Sequence, residues 1–342
     1  MRVVAIGGGT GLSTLLRGLR HHVTPINATK GEQGLIADLA AVVTVTDDGG
    51  SSGRLRKDFN MLPPGDLRNC MVALSEEEDL LSKLFSHRFR SGEALEGHNL
   101  GNLFVAALTE ITGDFGRAIE LASKVLATRG HIYPATLAAN AALVARMDDG
   151  SLVRGETNIT ASSRRIAELM LDPPNAAALD QSIKAIAAAD LITVGPGSLF
   201  TSLIANLLVK DVCKALIEAR GLRVFVCNLM TQANESRGLT ASQHIERIYA
   251  HTGQPVFDYA LVNTRAFSPE TLTRYAQENA IPIEADLERL QQLGVRVIAG
   301  DFAIEENVVR HNAARVAEAL LALDGNPRAA AESAPVTLTS TT

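Results

Sequence analysis

The sequence predicts a doubly wound α/β fold with a mainly parallel sheet. Short, continuous apolar runs alternate with helical patterns along most of the chain, as is typical of parallel strands covered on both faces. Glycine-rich loops directly follow two of these runs. The chain has 342 residues and 46% hydrophobic content, which is enough for a large core.

The predicted parallel strands are the apolar runs at residues 3–6, 41–46, 190–194, 223–229, 259–263 and 295–299. A helix is predicted from residue 99 to 113, where the spacing of six apolar residues indicates one buried face: Leu100, Leu103, Phe104, Ala107, Leu108 and Ile111. Residues 141–157 interrupt this pattern, because two alternating runs flank Asp-Asp-Gly and predict a small antiparallel β-hairpin. We expect one domain over residues 1–323 and a disordered tail over residues 324–342, which are small and polar.

Composition excludes several classes of protein. A net charge of −6 and 4% aromatic content argue against nucleic acid as a partner. The three cysteines form no paired motif, which favours a reducing cytoplasm over a disulfide framework or a thiolate zinc site. No apolar run approaches the roughly 20 residues of a membrane-spanning helix. HExxH is absent, so a metalloprotease interpretation has no support.

The first glycine-rich loop follows the strand at residues 3–6 and opens a helix. Its candidate ligand-binding residues are Gly8, Gly9, Thr10 and Gly11, whose bare backbone amides can approach a phosphate at the positive end of the helix. The spacing is not GxGxxG, because residue 12 is Leu, and no GK[ST] follows, so dehydrogenase and kinase interpretations lose support. A tight turn without a ligand is the alternative, but the density of glycine favours ligand contact.

The second loop contains Gly195, Gly197 and Ser198 after the strand at residues 190–194. Ser198 is equally suited to cap the next helix or to bind a second phosphate. In open α/β sheets, ligands bind beyond the carboxyl ends of strands where the winding direction changes. We therefore expect both loops to face one crevice.

A pair of carboxylates, Asp47 and Asp48, follows the second predicted strand. They are suited to hold a metal ion on a diphosphate or to accept ribose hydroxyls. Ser51, Ser52 and Arg56 then supply anion contacts, since arginine suits phosphate. The alternative is a solvated turn in which the carboxylates pair with nearby arginines.

Further polar candidates lie at helix starts and after strands. Asp66 is expected to cap the helix that follows two prolines, and Arg68 in its first turn opposes the helix dipole unless an anion lies nearby. His98 and Asn99 are equally explained as a surface residue with an N-cap and as ligand contacts. The remaining polar candidates for contacts with the ligand are Asn69, Asn102, Asn228, Thr231 and Gln232. Around Arg310, the residues taken alone favour a capped surface helix.

Several long motifs occur in a familiar order over residues 1–323: GGGTGLSTLLRGL, VVTVTDDGGSSGRLR, PPGDLRN, GHNLGNL, TGDF, DLITVGPGSLFTSLIANLLV and VRHNAARV. Together they resemble the bacterial gluconeogenesis factor family, whose relatives are the CofD-like 2-phospho-L-lactate transferases. The resemblance implies a Rossmann-like α/β fold, a cytoplasmic location and binding of UDP-sugars such as UDP-N-acetylglucosamine. It also implies a role in cell shape and cell-wall formation during gluconeogenic growth.

The resemblance also implies particular residue roles. It places the diphosphate on the two glycine loops, and Tyr275 and Arg310 are similar to positions that contact the nucleotide sugar. Asp47 and Asp48 match the metal-binding carboxylates of the transferase branch. Residues 26–38 are longer than is usual for the family, and residues 324–342 have no counterpart in it.

Two functions remain open. The first is a UDP-sugar-binding regulator without catalytic residues, whose ligand shifts it between states that a protein of envelope synthesis reads. A second copy of the chain is a further candidate partner. The alternative is a transferase that uses Mg²⁺ on Asp47 and Asp48 while a nucleotide diphosphate leaves. Mg²⁺ enters only with this alternative, and no cofactor is otherwise expected. An NAD-dependent oxidoreductase is disfavoured, because the first loop lacks the glycine spacing of the dinucleotide-binding fingerprint.

Overall fold

The computed structural model describes residues 1–25, 34–76 and 80–323. Within these ranges the strands are β1 (Arg2–Gly7), β2 (Asp38–Val43), β3 (His131–Pro134), β4 (Ala142–Met147), β5 (Leu152–Arg154), β6 (Ile166–Asp172), β7 (Leu191–Val194), β8 (Leu222–Val226), β9 (Tyr259–Asn263), β10 (Arg296–Gly300), β11 (Ala303–Ile304) and β12 (Arg310–His311). The helices of the same ranges are α1 (Gly9–Arg20), α2 (Gly50–Phe59), α3 (Gly65–Leu74), α4 (Leu80–Ser86), α5 (Leu100–Thr112), α6 (Phe115–Val125), α7 (Glu156–Ala161), α8 (Asp180–Ala188), α9 (Ala205–Leu207), α10 (Lys210–Glu218), α11 (Ala241–Thr252), α12 (Pro269–Gln277), α13 (Leu287–Gln292) and α14 (Ala313–Leu321). A π-helical segment, Leu199–Ile204, precedes α9.

A seven-stranded sheet forms the centre of the fold, in the order β10-β9-β8-β7-β1-β2-β3. Every neighbouring pair in it is parallel. The chain winds outward from β1 through β2 to β3, and then from β7 through β8 and β9 to β10, so the winding direction changes between β1 and β7. The doubly wound, mainly parallel fold is therefore confirmed. All six predicted strands are present, and β3 at the edge of the sheet is an addition.

The core lies on both faces of this sheet because successive strand residues point to opposite sides. In β1, Val4 and Ile6 face the cluster that includes residues of α8, α10 and α11, while Val3 and Ala5 face residues of α1, α3 and α14. Apolar residues at consecutive strand positions are thus all buried. This double burial explains why the strands read as continuous apolar runs.

The predicted antiparallel excursion is confirmed and is larger than a hairpin. Strands β4 and β5 pair across the turn that contains Asp148 and Asp149, and β6 pairs with the other edge of β4. This gives a three-stranded sheet in the order β5-β4-β6. Helix α7 follows β5 and carries Glu156 at its first position.

The predicted buried face of α5 is confirmed only in part, because Leu103, Phe104 and Leu108 pack against the core but are only partly buried. The buried residues of this helix are Gly101, Asn102, Val105 and Ala106, whereas Ile111 is 78% exposed. Asn102 can be buried because its side-chain amide donates to Ser51 Oγ at 3.3 Å. A Cβ on residue 101 would lie 2.6 Å from the backbone oxygen of Phe85, so glycine sets the close approach on this side. Polar pairing and close backbone packing have outweighed the spacing of the larger apolar residues.

Two further expectations concern segments that the structure describes only in part or not at all. Of the long segment at residues 26–38, residues 26–33 lie outside the described ranges, and so does the tail at residues 324–342. Within the described ranges, none of the helices combines the length and apolar character needed to cross a bilayer.

Candidate functional site

Both glycine loops lie where the winding of the sheet changes direction. The first connects β1 to α1, and the second follows β7, which is the neighbour of β1. The loops approach each other closely, because a Cβ added to Gly11 would lie only 2.5 Å from the backbone oxygen of Pro196. Strands β1 and β7 therefore deliver two loops to one place, where a ligand-binding crevice is expected in a doubly wound fold.

A cavity of about 730 Å³ opens at these loops. This volume is within the range of about 300–1,000 Å³ typical of small-molecule sites. Thirteen of the predicted site residues line it: Gly8, Gly9, Thr10, Gly11, Asp47, Asp66, Gly197, Ser198, Asn228, Thr231, Gln232, Tyr275 and Arg310. Residues from seven separate stretches of the sequence thus meet in one cleft.

The other predicted site residues are not part of this lining: Asp48, Ser51, Ser52, Arg56, Arg68, Asn69, His98, Asn99, Asn102 and Gly195. Several of them make a buried network instead. Ser51 Oγ lies 3.2 Å from His98 Nδ1 and also receives the Asn99 backbone amide at 3.3 Å. His98 is only 7% exposed, so of the two alternatives left open for it the surface residue is wrong. The predicted N-cap is confirmed, since Asn99 accepts from the Asn102 amide.

The predicted anion-binding arginines outside the lining have protein partners. Arg56 Nη2 donates to the carbonyls of Ala139 and Ala141. Arg68 Nη2 donates to Asn69 Oδ1 at 2.8 Å, and burial lowers the pKa of Arg68 to about 10. The stretch from Gly50 is the helix α2 rather than a solvated turn.

The floor of the cleft carries Asp66, but not in the role expected for it. The N-cap of α3 is Pro64, so the prediction that Asp66 caps its own helix is wrong. Its Oδ2 instead accepts a hydrogen bond of 2.7 Å from the Gly9 amide, at the start of α1. Burial, with repulsion from Asp47, raises the pKa of Asp66 to about 6. A carboxyl group of the protein thus already occupies part of the positive end of α1.

Glu156 lines the same cleft and was not singled out in the sequence. It reaches the site from α7 of the antiparallel excursion. Burial, together with the negative charges of Asp47 and Asp66, raises its pKa to about 9. Glu156 is therefore protonated at neutral pH. Neither its spacing nor its neighbours in the sequence carry a signal for this position.

The side chains of the two adjacent aspartates have different surroundings. Asp48 Oδ1 accepts from the Thr157 amide at 2.8 Å and from Thr157 Oγ1 at 2.6 Å, which anchors the start of α7. Asp47 lines the cleft, and its Oδ1 accepts from the Gly49 amide at 2.9 Å. Asp47 and Asp48 therefore do not fit a shared Mg²⁺ ion. Asp47 and Asp66, both on the cleft, are the carboxylates that fit Mg²⁺ together with phosphate oxygens.

No group of three or more His, Cys, Asp or Glu side chains in the described ranges is arranged to hold a metal ion. A cation at Asp47 and Asp66 would therefore depend on oxygens of a ligand. Mg²⁺ bound there would neutralise phosphate charge.

The second glycine loop is fixed by an asparagine. Asn228 Oδ1 accepts from the Gly197 amide at 2.9 Å, and its Nδ2 donates to the Gly197 carbonyl at 2.7 Å. Ser198 holds the N-cap position, yet its hydroxyl accepts from Gln232 Nε2 at 2.8 Å instead of capping. Glu235 accepts from the amides of Phe200 and Thr201 and so satisfies this helix end.

Positive charge lies at another part of the cleft. Arg310 lines the cavity from β12, which packs against α1. Burial lowers the pKa of Arg17 on α1, and the charge of Arg310 lowers it further. Tyr275 is held beside them by the Val309 amide, which donates to its hydroxyl at 2.8 Å. The cleft therefore combines carboxyl groups, open amides and the guanidinium group of Arg310.

The fold and the cleft define a Rossmann-like α/β protein with a ligand-sized site at the change in winding direction. Residues 3–303 match the family of the 2-phospho-L-lactate transferase CofD. The chain is 45% identical to the gluconeogenesis factor of Halalkalibacterium halodurans, across 95% of this chain and 97% of the relative. It is 43% identical to the gluconeogenesis factor of Bacillus subtilis, across 94% and 98%.

A crystal structure of a Bacillus halodurans protein aligns with a TM-score of 0.87 at 45% identity and covers 94% of this chain and 99% of that one. The chain belongs to the CofD family and, within it, to the gluconeogenesis factors. The resemblance predicted from the motifs is confirmed.

Proposed function

We propose that this gluconeogenesis factor binds a UDP-sugar, such as UDP-N-acetylglucosamine, and acts as a regulator of cell shape and cell-wall formation under gluconeogenic growth. The observation that carries the proposal is the cleft of about 730 Å³ into which both glycine loops and Arg310 project. A nucleotide sugar has a diphosphate at its centre and neutral polar groups at both ends. The cleft offers groups that complement both kinds of chemistry.

The diphosphate would lie against the first turn of α1. The amides of Thr10 and Gly11 belong to this turn and have no carbonyl partner within the helix. Arg310 adds a guanidinium group, which suits phosphate oxygens. Neutral side chains on the loop after β8, among them Thr231 and Gln232, suit hydroxyl groups or a base edge.

A regulatory role is supported by the hydrogen bonds that several polar groups of the cleft make to other groups of the protein. Asn228 and Ser198 hold the second loop in shape, and Tyr275 is held by the Val309 amide. These groups favour binding in a fixed geometry over proton transfer. A ligand held by two loops on opposite sides of the change in winding would stabilise one arrangement of the molecule, which a protein of envelope synthesis would then read.

A second candidate is a Mg²⁺-dependent transferase that uses a nucleotide diphosphate. The carboxyl groups of Asp47, Asp66 and Glu156 in one cleft favour it. In this function Asp47 and Asp66 would hold the cation against the diphosphate that leaves.

Calorimetry with UDP-N-acetylglucosamine tests the proposal. We expect the wild type to bind, and Arg310→Ala to bind at least about tenfold more weakly, because a charge-assisted hydrogen bond contributes about 1.5–3 kcal/mol. The matched control is Arg117→Ala, which removes an exposed guanidinium that pairs with Glu120 outside the cleft. This control should bind as the wild type does.

Absence of wild-type binding at millimolar ligand would contradict the proposed function. Mg²⁺-dependent turnover of a nucleotide-diphosphate donor that is lost in Asp47→Asn would favour the transferase instead.

A further inference from the structure

His311 lines the cleft beside Arg310, on the short strand β12. Its Nε2 lies 3.0 Å from the carbonyl oxygen of Cys227, just beyond the end of β8. A carbonyl oxygen only accepts hydrogen bonds, so Nε2 must carry the proton and donate. This contact fixes the ring against the sheet.

The bond to Cys227 also fixes the tautomer. Burial lowers the pKa of His311 to about 4, so the ring is neutral at neutral pH. A neutral imidazole with its proton on Nε2 has a lone pair on Nδ1, which is then an acceptor only. The Nδ1 atom makes no hydrogen bond to any of the described residues.

The neighbouring polar groups of this part of the cleft already have protein partners. Thr231 Oγ1 accepts from the Ile281 amide at 3.0 Å, and Tyr275 accepts from the Val309 amide at 2.8 Å. Both amide atoms of Asn228 are engaged with Gly197. His311 Nδ1 differs from them because its acceptor capacity is unused and its protonation state is fixed.

We propose that His311 is a specificity-determining residue whose Nδ1 accepts a hydrogen bond from an N–H group of the bound nucleotide sugar. This assignment rests on the proposed function and adds to it the chemistry that the cleft selects. An acceptor-only atom complements an N–H group and repels a lone pair placed at the same point. UDP-N-acetylglucosamine has two such groups, the imide N–H of the uracil ring and the N–H of the acetamido group.

Two substitutions by amide side chains distinguish the role of Nδ1 from that of Nε2. The amide of Gln reaches the place of Nε2, so His311→Gln keeps a donor to Cys227 and removes the acceptor at Nδ1. The amide of Asn lies near the place of Nδ1, so His311→Asn keeps an acceptor there and removes the bond to Cys227. By calorimetry, we expect His311→Gln to bind UDP-N-acetylglucosamine about tenfold more weakly and His311→Asn to stay within about threefold of the wild type.

Two analogues identify the N–H group. N3-methyl-UDP-N-acetylglucosamine lacks the imide N–H, and UDP-glucose lacks the acetamido group. We expect one of them to lose about tenfold in affinity for the wild type and to show no further loss with His311→Gln. Thermal unfolding of each variant without ligand confirms that it is folded.

Each outcome decides the assignment. If His311→Asn binds more weakly than His311→Gln, if both variants lose equally, or if neither loses affinity, His311 only supports the loop and the assignment is overturned. The same holds if neither analogue distinguishes the wild type from His311→Gln. Absence of wild-type binding overturns the proposed function, and this assignment with it.

Discussion

Two carboxyl groups in the cleft, those of Glu156 and Asp66, keep their protons to a higher pH than free carboxylic acids do. Burial and mutual repulsion raise the pKa of Glu156 to about 9 and that of Asp66 to about 6. Three carboxylates side by side would repel each other, and protonation removes part of that repulsion. A cluster in this state can accept the phosphates of a nucleotide at lower electrostatic cost.

The proton on Glu156 makes stability depend on pH. Its pKa is about 9 in the folded protein against an ordinary value of 4.5, so between these limits unfolding releases a proton. Stability contributed by this group therefore falls as pH rises from about 4.5 to about 9. We expect Glu156→Gln to be more stable than the wild type by at least about 1 kcal/mol at pH 8, with the difference vanishing near pH 4.5.

Urea unfolding at pH 5, 7 and 8 measures this effect. The matched control is Glu110→Gln on the exposed face of α5, which should change stability little at any of these values. A Glu156→Gln variant that is less stable than the wild type at pH 8 would show that the folded protein uses the charged carboxylate.

Residues of the cleft differ in how far the sequence predicts them. Glycine loops such as Gly8–Gly11 can be recognised in the sequence as site candidates, because few other residues tolerate a close backbone approach. Glu156 was not predicted as a site residue, because it reaches the cleft from a distant element and its neighbours in the sequence give no signal. His311 was not predicted either, although its neighbour Arg310 was, because the residues around it taken alone favour a capped surface helix. Asp66 was predicted as a cap and is one, but of α1 rather than α3, because a side chain can cap any helix end within reach.

At the scale of elements, continuous apolar runs identified the strands of the parallel sheet. They failed for β3, which is short and at an edge, and for β6 of the antiparallel sheet, where charged Glu168 interrupts the run. The helical pattern of α5 identified the helix but only part of its buried face. A face that is buried through glycine packing and amide hydrogen bonds carries no apolar signal.

The approach of the two glycine loops depends on the missing Cβ at Gly11. A methyl group there would meet the backbone of Pro196, which cannot rotate away, so the loops must separate. We expect Gly11→Ala to weaken UDP-N-acetylglucosamine binding at least tenfold and to cost about 1–3 kcal/mol of strain, partly offset by better helix propensity. Calorimetry and urea unfolding measure the two effects.

The matched control is Gly253→Ala. Gly253 ends α11 with a φ of 75° and has open space around its Cβ position, so alanine meets backbone strain alone. It should lose about 1 kcal/mol of stability and keep full affinity. Equal affinities of Gly11→Ala and the wild type would contradict a ligand held between the loops.

At the scale of the whole molecule, the cleft joins the two halves of the doubly wound sheet. One glycine loop belongs to the half that contains β1, β2 and β3, and the other to the half that contains β7 to β10. The antiparallel excursion adds Glu156, and the segment after β11 adds Arg310. A ligand that contacts all of these parts binds only when they are assembled, so its binding energy adds to the stability of the complete fold.

This linkage gives a measurement that does not depend on any one contact. With UDP-N-acetylglucosamine at 100 times its dissociation constant, we expect a gain of about 2.7 kcal/mol in the free energy of unfolding, seen as a rise of a few degrees in Tm. Arg310→Ala at the same concentration should gain only about 1.4 kcal/mol if its affinity is about tenfold lower. Hydrogen exchange should slow on both sides of the change in winding, at α1 and at the loop after β8. Protection confined to one half would mean that the ligand does not bridge the two glycine loops. Equal gains for the wild type and Arg310→Ala would mean that Arg310 does not contact the ligand.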